Sequence, residues 1–208
     1  MVDDVFRYIE KLIMIRICVL GNIGSGKSFV AEQFCCPVFN ADKEVNKIYK
    51  TDKKCFIKLK SKLPNYVKTF PIKKQDLIKA ISDKAKNLRE ISLIVHPLVR
   101  KKLTMFLKTN KMKKIVILDI PLLIENKLNK KKDVLLYVNS SNSNIIKRLK
   151  KRKNYKKKIT KTLIKNQSLL LKKRKLANYI IENNSSPNIM KKKIRDLKKK
   201  ILNERDSS

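Results

Sequence analysis

The segment Gly21-Asn22-Ile23-Gly24-Ser25-Gly26-Lys27-Ser28 follows directly on the apolar run Ile15-Arg16-Ile17-Cys18-Val19-Leu20. This is the G-x-x-x-x-G-K-[ST] pattern, with a buried-strand signal before it and a helix-compatible stretch, Phe29 to Phe34, after it. Backbone N–H groups of such a loop turn inward around a polyphosphate, and glycines allow the main chain to approach where a Cβ would collide. Lys27 is placed to reach the β- and γ-phosphates, and the Ser28 hydroxyl to ligand Mg²⁺. The helix that follows adds its N-terminal dipole to the anion site. Strand, loop and helix in this order commit the chain to an α/β architecture and to a nucleoside triphosphate.

With 208 residues, 42% of them hydrophobic, the chain can bury the core of one α/β domain with small insertions. No apolar stretch approaches the roughly 20 residues of a membrane span. Met1 to Glu10 is mixed in character and lacks the apolar centre of a signal peptide, so the reading is a cytoplasmic protein with no membrane partner. Cys18, Cys35, Cys36 and Cys55 form no C-x-x-C pair and have no histidine cluster beside them, which favours buried, reduced thiols over disulfides or zinc. The net charge of +36 invites nucleic-acid binding. However, the lysines spread along the whole chain, arginine is scarce, and aromatic residues are not interleaved with the basic runs as stacking platforms would be. General lysine enrichment is the better reading, and no nucleic-acid partner is expected.

Apolar runs suited to buried parallel strands occur at Ile15–Leu20, Pro37–Asn40, Ile115–Asp119, Val134–Asn139 and, more weakly, Tyr179–Glu182. Helical patterns between them include Lys43–Tyr49, Lys73–Ile81, Asp83–Leu107, Ser143–Lys151 and Lys158–Lys175. The alternation predicts a parallel sheet flanked by helices, with right-handed crossovers and ligands at the carboxyl ends of the strands. Residues from about 51 to 111 exceed a simple crossover and read as a helical insertion on the substrate side. Residues from about 148 to 178 read as a basic lid. The tail from Pro187 is an amphipathic helix with Ile189, Ile194, Leu197 and Ile201 as its apolar face, and residues 1–13 are an N-terminal extension before a domain covering 14–208.

Groups at the other strand ends narrow the chemistry. Asp42, after the second strand, can take a proton from a substrate hydroxyl attacking the γ-phosphate, or it can N-cap a helix beginning at Lys43. Asp119 ends four apolar residues in a Walker-B arrangement that holds Mg²⁺; the alternative is a buried carboxylate satisfying backbone donors. His96 is the only histidine, and as a lone residue beside Pro97 it reads as a helix-start or packing side chain as readily as a ligand. Arg148 and Arg152 share one helical face four residues apart, suited to clamping charge on a transferring phosphoryl group or to a solvated basic surface.

Taken in order, Gly21–Ser28, Asn40-Ala41-Asp42, His96-Pro97-Leu98-Val99, Asp119-Ile120-Pro121-Leu122-Leu123-Ile124-Glu125, Arg148 with Arg152, Gln167 and Ile181-Glu182-Asn183 resemble the dephospho-CoA kinases from about residue 14 to residue 190. The resemblance implies a P-loop NTPase fold with a helical substrate-binding insertion and a lid. It also implies transfer of phosphate from ATP, with Mg²⁺, to the ribose 3′-hydroxyl of dephospho-CoA, the last step of coenzyme A synthesis. By the same resemblance Gly24, Ser25, Gly26, Lys27, Ser28 and Phe29 hold the ATP phosphates, and Asp42 matches the proposed general base. His96, Pro97, Leu122 and Leu123 line the acceptor side, and Arg148 and Arg152 are lid arginines facing the phosphates.

Departures from that pattern are Asn40 where the family usually has Asp, Cys18 for a strand glycine, Leu163 for an arginine and Asn178 for an aspartate. Two other readings stand beside this one: a kinase of the same fold for another small hydroxyl acceptor, and a basic nucleic-acid-binding ATPase.

Overall fold

The computed structural model describes residues 14–121, 123–124, 128–151 and 173–206. A five-stranded parallel sheet forms from β1 (Ile15–Gly21), β2 (Val38–Asn40), β3 (Ile115–Asp119), β4 (Val134–Asn139) and β5 (Tyr179–Glu182), in the order β2-β3-β1-β4-β5. The register sets Ile17 beside Ile117 on one side and Val134 on the other. β3 is buried along its whole length, and β1 from Ile15 to Leu20. That is the reason both read as continuous apolar runs rather than alternating ones.

The chain divides into two compact units. The first comprises the described residues up to Phe39 and those from Asn110 onward. It contains the sheet with α1 (Lys27–Gln33), α6 (Asn142–Lys150) and α7 (Pro187–Asp206). Its core joins Ile17, Val19, Ile117 and Leu136 of the sheet to Phe34 and to Met190, Ile194 and Ile201 of α7. Each such side chain contributes about 1.5–3 kcal/mol on burial. The apolar face expected of α7 is corrected at one position. Ile189 is 51% exposed and Met190 is fully buried, because 190, 194, 197 and 201 keep the helical spacing and 189 lies about 100° off that stripe.

The second unit, Asn40–Thr109, is helical: α2 (Ala41–Thr51), α3 (Lys53–Lys62), α4 (Lys74–Asp83) and α5 (Lys86–Thr109). Its own core gathers Ile48, Leu59, Leu77, Ile91 and Val95. Asp52 ends α2 and caps α3, accepting from the Cys55 N–H at 2.8 Å, so two helices follow each other without a linker.

Within β1, Arg16 interrupts the apolar run yet is buried. Its guanidinium meets Asp133 at 2.9 Å and donates to the Leu128 carbonyl at 3.2 Å. Asp133 also accepts the Lys130 N–H at 2.7 Å and the Cys18 thiol at 3.5 Å. Removing either partner would leave a buried charge uncompensated. All four cysteines are free thiols, Cys18 and Cys55 buried as expected. Cys35 is exposed and Cys36 half-buried, because α1 has ended and Cys35 turns the chain at φ 50° toward β2 at the surface. No helix among the described residues is long and apolar enough to cross a membrane.

Candidate active site

The chain contains three glycines: Gly21 ends β1, and Gly24 and Gly26 lie in the loop between β1 and α1. Gly26 is the N-cap of α1 with φ 92° and ψ 27°, a left-handed conformation that strains any residue carrying a Cβ. A Cβ there would also lie 2.2 Å from Asn183 Nδ2, and one on Gly21 would lie 2.4 Å from the Val138 carbonyl oxygen. The loop is thus folded close against the ends of β4 and β5. Ser25 donates its N–H to the Asn22 carbonyl at 3.2 Å, and Lys27 Nζ reaches back to the carbonyls of Gly21 and Asn22 at 3.1 and 2.9 Å. Among the described residues, Ser25 Oγ is buried without a hydrogen-bond partner, so the cradle contains a hydroxyl that a ligand could engage. Phe29, in the first turn of α1, packs on the sheet core.

Ser28 projects from α1 toward the end of β3, where its hydroxyl donates to Asp119 Oδ2 at 2.6 Å. Asp119 is 3% exposed. Two residues 91 positions apart therefore bring hard oxygen donors of both kinds, hydroxyl and carboxylate, to one point. Among the described residues no three His, Cys, Asp or Glu side chains gather into a metal cluster. A divalent ion at Ser28 and Asp119 would complete its shell from phosphate and water, which is the habit of Mg²⁺ rather than of zinc.

Arg148, from α6, is half-buried and is not part of a solvated face. One nitrogen, Nη1, donates to the carbonyls of Ser25 at 3.1 Å and Gly24 at 3.4 Å and to Ser140 Oγ at 3.0 Å. The other, Nη2, donates to the Asn183 carbonyl at 2.8 Å. Burial lowers the Arg148 pKa from its ordinary value. The guanidinium so placed packs its positive charge behind the phosphate loop.

In the helical unit, Asp42 does not cap α2. That helix starts at Ala41, and Asn40 is the cap, its side-chain oxygen accepting from the Lys43 N–H at 2.8 Å. Asn and Asp serve equally as N-caps, so the Asn40 departure costs the helix nothing and leaves the Asp42 carboxylate exposed in the first turn. His96 and Pro97 lie inside α5 rather than at its start. Pro97 donates no N–H to the Leu93 carbonyl, a local break in the ladder at the position of the histidine. His96 is half-buried and Pro97 exposed.

Leu123 is 1% exposed, held in a turn where its N–H donates to the Ile120 carbonyl at 3.2 Å. Leu122, Arg152 and Leu163 lie outside the described residues, as do 1–13 and most of the lid. Asn178 carries the role an aspartate would have: its side-chain oxygen accepts the Leu135 N–H at 2.7 Å and its own N–H donates to the Leu135 carbonyl at 2.9 Å, fixing the entry to β5. The sequence reading assigned no function to Asn183 or to Ser140. Asn183 stands in the Ile181-Glu182-Asn183 run that carries part of the family resemblance, and its position just beyond the last strand is the edge at which nucleotides gather in such sheets.

Strand order, the loop after β1 and the contact from Ser28 to Asp119 place the chain among the P-loop kinases. A family model described as dephospho-CoA kinase matches residues 15–188. A protein of Wolbachia pipientis named dephospho-CoA kinase is 30% identical over 187 residues, covering 87% of this chain and 95% of that one. A solved structure from Thermus thermophilus superimposes with a TM-score of 0.74 at 25% identity, over 92% of this chain and 97% of the other. The dephospho-CoA kinase of Campylobacter jejuni does so with a TM-score of 0.63 at 20% identity, over 89% and 96%. The chain belongs to the dephospho-CoA kinase family.

Proposed function

We propose that the chain transfers the γ-phosphoryl group of ATP to the ribose 3′-hydroxyl of dephospho-CoA, giving coenzyme A and ADP. The observation that carries this reading is family membership across residues 15–188, joined to a phosphate loop whose Ser28 touches the buried Asp119.

The loop from Gly24 to Phe29 holds the triphosphate, and Lys27 exchanges its carbonyl partners for the β- and γ-phosphates. Ser28 and Asp119 hold Mg²⁺, which when bound neutralises charge on the phosphates. Asp42 takes the proton of the acceptor hydroxyl as its oxygen bonds to phosphorus. The bond from phosphorus to the ADP oxygen breaks, and ADP leaves with that electron pair. His96, Pro97, Leu122 and Leu123 line the acceptor side. Arg148 supplies positive charge from behind the loop, and Arg152 supplies it to the transferring group. Catalysis then rests on positioning and charge neutralisation, as it does for phosphoryl transfer in general.

The test compares dephospho-CoA, adenosine, shikimate and gluconate as acceptors in ADP release from Mg·ATP, and repeats the assay with Asp42→Asn. The expected result is release that depends on dephospho-CoA and falls by about 10²- to 10⁴-fold in the variant, with ATP affinity retained. Preference for another acceptor overturns the substrate assignment, and a wild-type rate in Asp42→Asn overturns the base.

A further inference from the structure

A phosphate loop attracts anions because its N–H groups point inward. The peptide is planar and trans, so each inward N–H sends the carbonyl of the same peptide outward. Those outward carbonyls need donors in turn. At the Ser25–Gly26 peptide the donors come from outside the loop. Asn183 Nδ2 donates to the Ser25 carbonyl at 2.8 Å, and Arg148 Nη1 does so at 3.1 Å.

Asn183 is itself tied at both its backbone N–H and its backbone carbonyl. It is 3% exposed, immediately after β5. Its N–H donates to the Asn139 carbonyl at 2.8 Å, extending the pairing of β4 with β5. Its carbonyl accepts from Arg148 Nη2 at 2.8 Å and from Ser140 Oγ at 3.1 Å. Its amide nitrogen lies 2.2 Å from where a Cβ on Gly26 would be. The Asn183 backbone is thus held from both sides, and its side chain presents a donor to the loop, since of the two amide atoms only the nitrogen can donate to the Ser25 carbonyl.

We infer that Asn183 is a positioning residue for phosphate binding: its amide holds the Ser25 carbonyl outward and thereby aims the Gly26 N–H at the phosphates. Arg148 reinforces the same peptide and, through the Asn183 carbonyl, the residue that holds it. An aspartate at 183 would keep the size and lose the donor, setting a carboxylate oxygen against the Ser25 carbonyl. The inference rests on the loop's being the ATP phosphate site.

The experiment measures binding of Mg·ADP, pyrophosphate and adenosine by calorimetry, in the full chain and in Asn183→Asp and Asn183→Ala, with the thermal midpoint and the two KM values alongside. Affinity for Mg·ADP and pyrophosphate is expected to fall about tenfold, the loss of one buried hydrogen bond, with adenosine binding unchanged. KM for ATP is expected to rise similarly while KM for dephospho-CoA holds. An equal loss for adenosine, no loss at all, or unfolding of one variant without a phosphate-selective loss in the other overturns the inference. No acceptor enters the binding measurement. A wild-type chain that binds pyrophosphate yet fails to phosphorylate dephospho-CoA therefore refutes the acceptor assignment and leaves this inference standing; one that binds neither refutes the shared reading of the loop.

Discussion

Gly26→Ala isolates how the loop's shape is enforced. Two costs meet at this residue. The backbone angle of φ 92° charges a residue with a Cβ about 1–2 kcal/mol relative to glycine. The new methyl would lie 2.2 Å from Asn183 Nδ2, so the amide must move and its bond to Ser25 is lost, a further cost of about 1 kcal/mol. The free loop can relax into another conformation, so the sum of about 2–3 kcal/mol surfaces as a lower affinity for phosphate, through the energy needed to restore the binding shape. That corresponds to a fall in Mg·ATP affinity of about 30- to 150-fold, with the thermal midpoint changed little. Calorimetric titration of Mg·ATP into the wild type and Gly26→Ala measures it directly. Adding Asn183→Ala removes the collision but not the backbone strain, so the double variant is expected to be less impaired than the sum of the singles by about 1 kcal/mol. Affinity of Gly26→Ala within twofold of wild type, or strict additivity with Asn183→Ala, would refute the reasoning.

Asp119→Asn and Ser28→Ala are each expected to lower kcat by about 100-fold or more and to raise the Mg²⁺ concentration needed for half-maximal rate, read from a Mg²⁺ titration of ADP release. Exposed Cys35 should alkylate first with iodoacetamide, with Cys18 and Cys55 protected until the chain unfolds. Burial pushes the Cys55 thiol up to about 11 from the ordinary 9.0, and Cys18 higher still. The unfolded chain therefore releases these protons first, and stability should fall as pH climbs above about 9, seen in urea unfolding at pH 8 and pH 10. Ile194→Ala, at a fully buried position, should cost about 2–5 kcal/mol, whereas Ile189→Ala should lie within about 0.5 kcal/mol of wild type in the same unfolding assay.

Much of the fold was legible because its signals are local. β3, β4 and β5 stand at the residues their apolar runs marked, and Asp83 to Leu107 foreshadowed the long α5 despite Pro97. The errors are also local in origin. The cap alternative for Asp42, weighed beside its role as a base, came from counting the helical pattern from Lys43, yet Asn40 offers the same capping oxygen two residues earlier. Ile189 and Met190 are both apolar neighbours, and which of them is buried depends on the rotation of α7 about its axis, a property of packing. Arg16 and Asp133 are 117 residues apart, and no pattern in either segment announces that they pair. The candidate site divides in the same way. Lys27, Ser28 and Asp119 carry motif spacing, so their chemistry could be named from the sequence. Asn183 acts through a single amide on a carbonyl 158 residues away, a contact that exists only once the sheet has brought β5 to the loop.

The central claim is that this chain places a phosphate on the 3′-hydroxyl of dephospho-CoA. Its most direct test is incubation of purified wild-type chain with Mg·ATP and dephospho-CoA, coupling ADP release to identification of the product by mass and by the position of the new phosphate. One ADP should form per molecule of coenzyme A, with the phosphate on the ribose 3′-oxygen. ADP release that ignores dephospho-CoA, or that answers instead to added RNA or DNA, would contradict it.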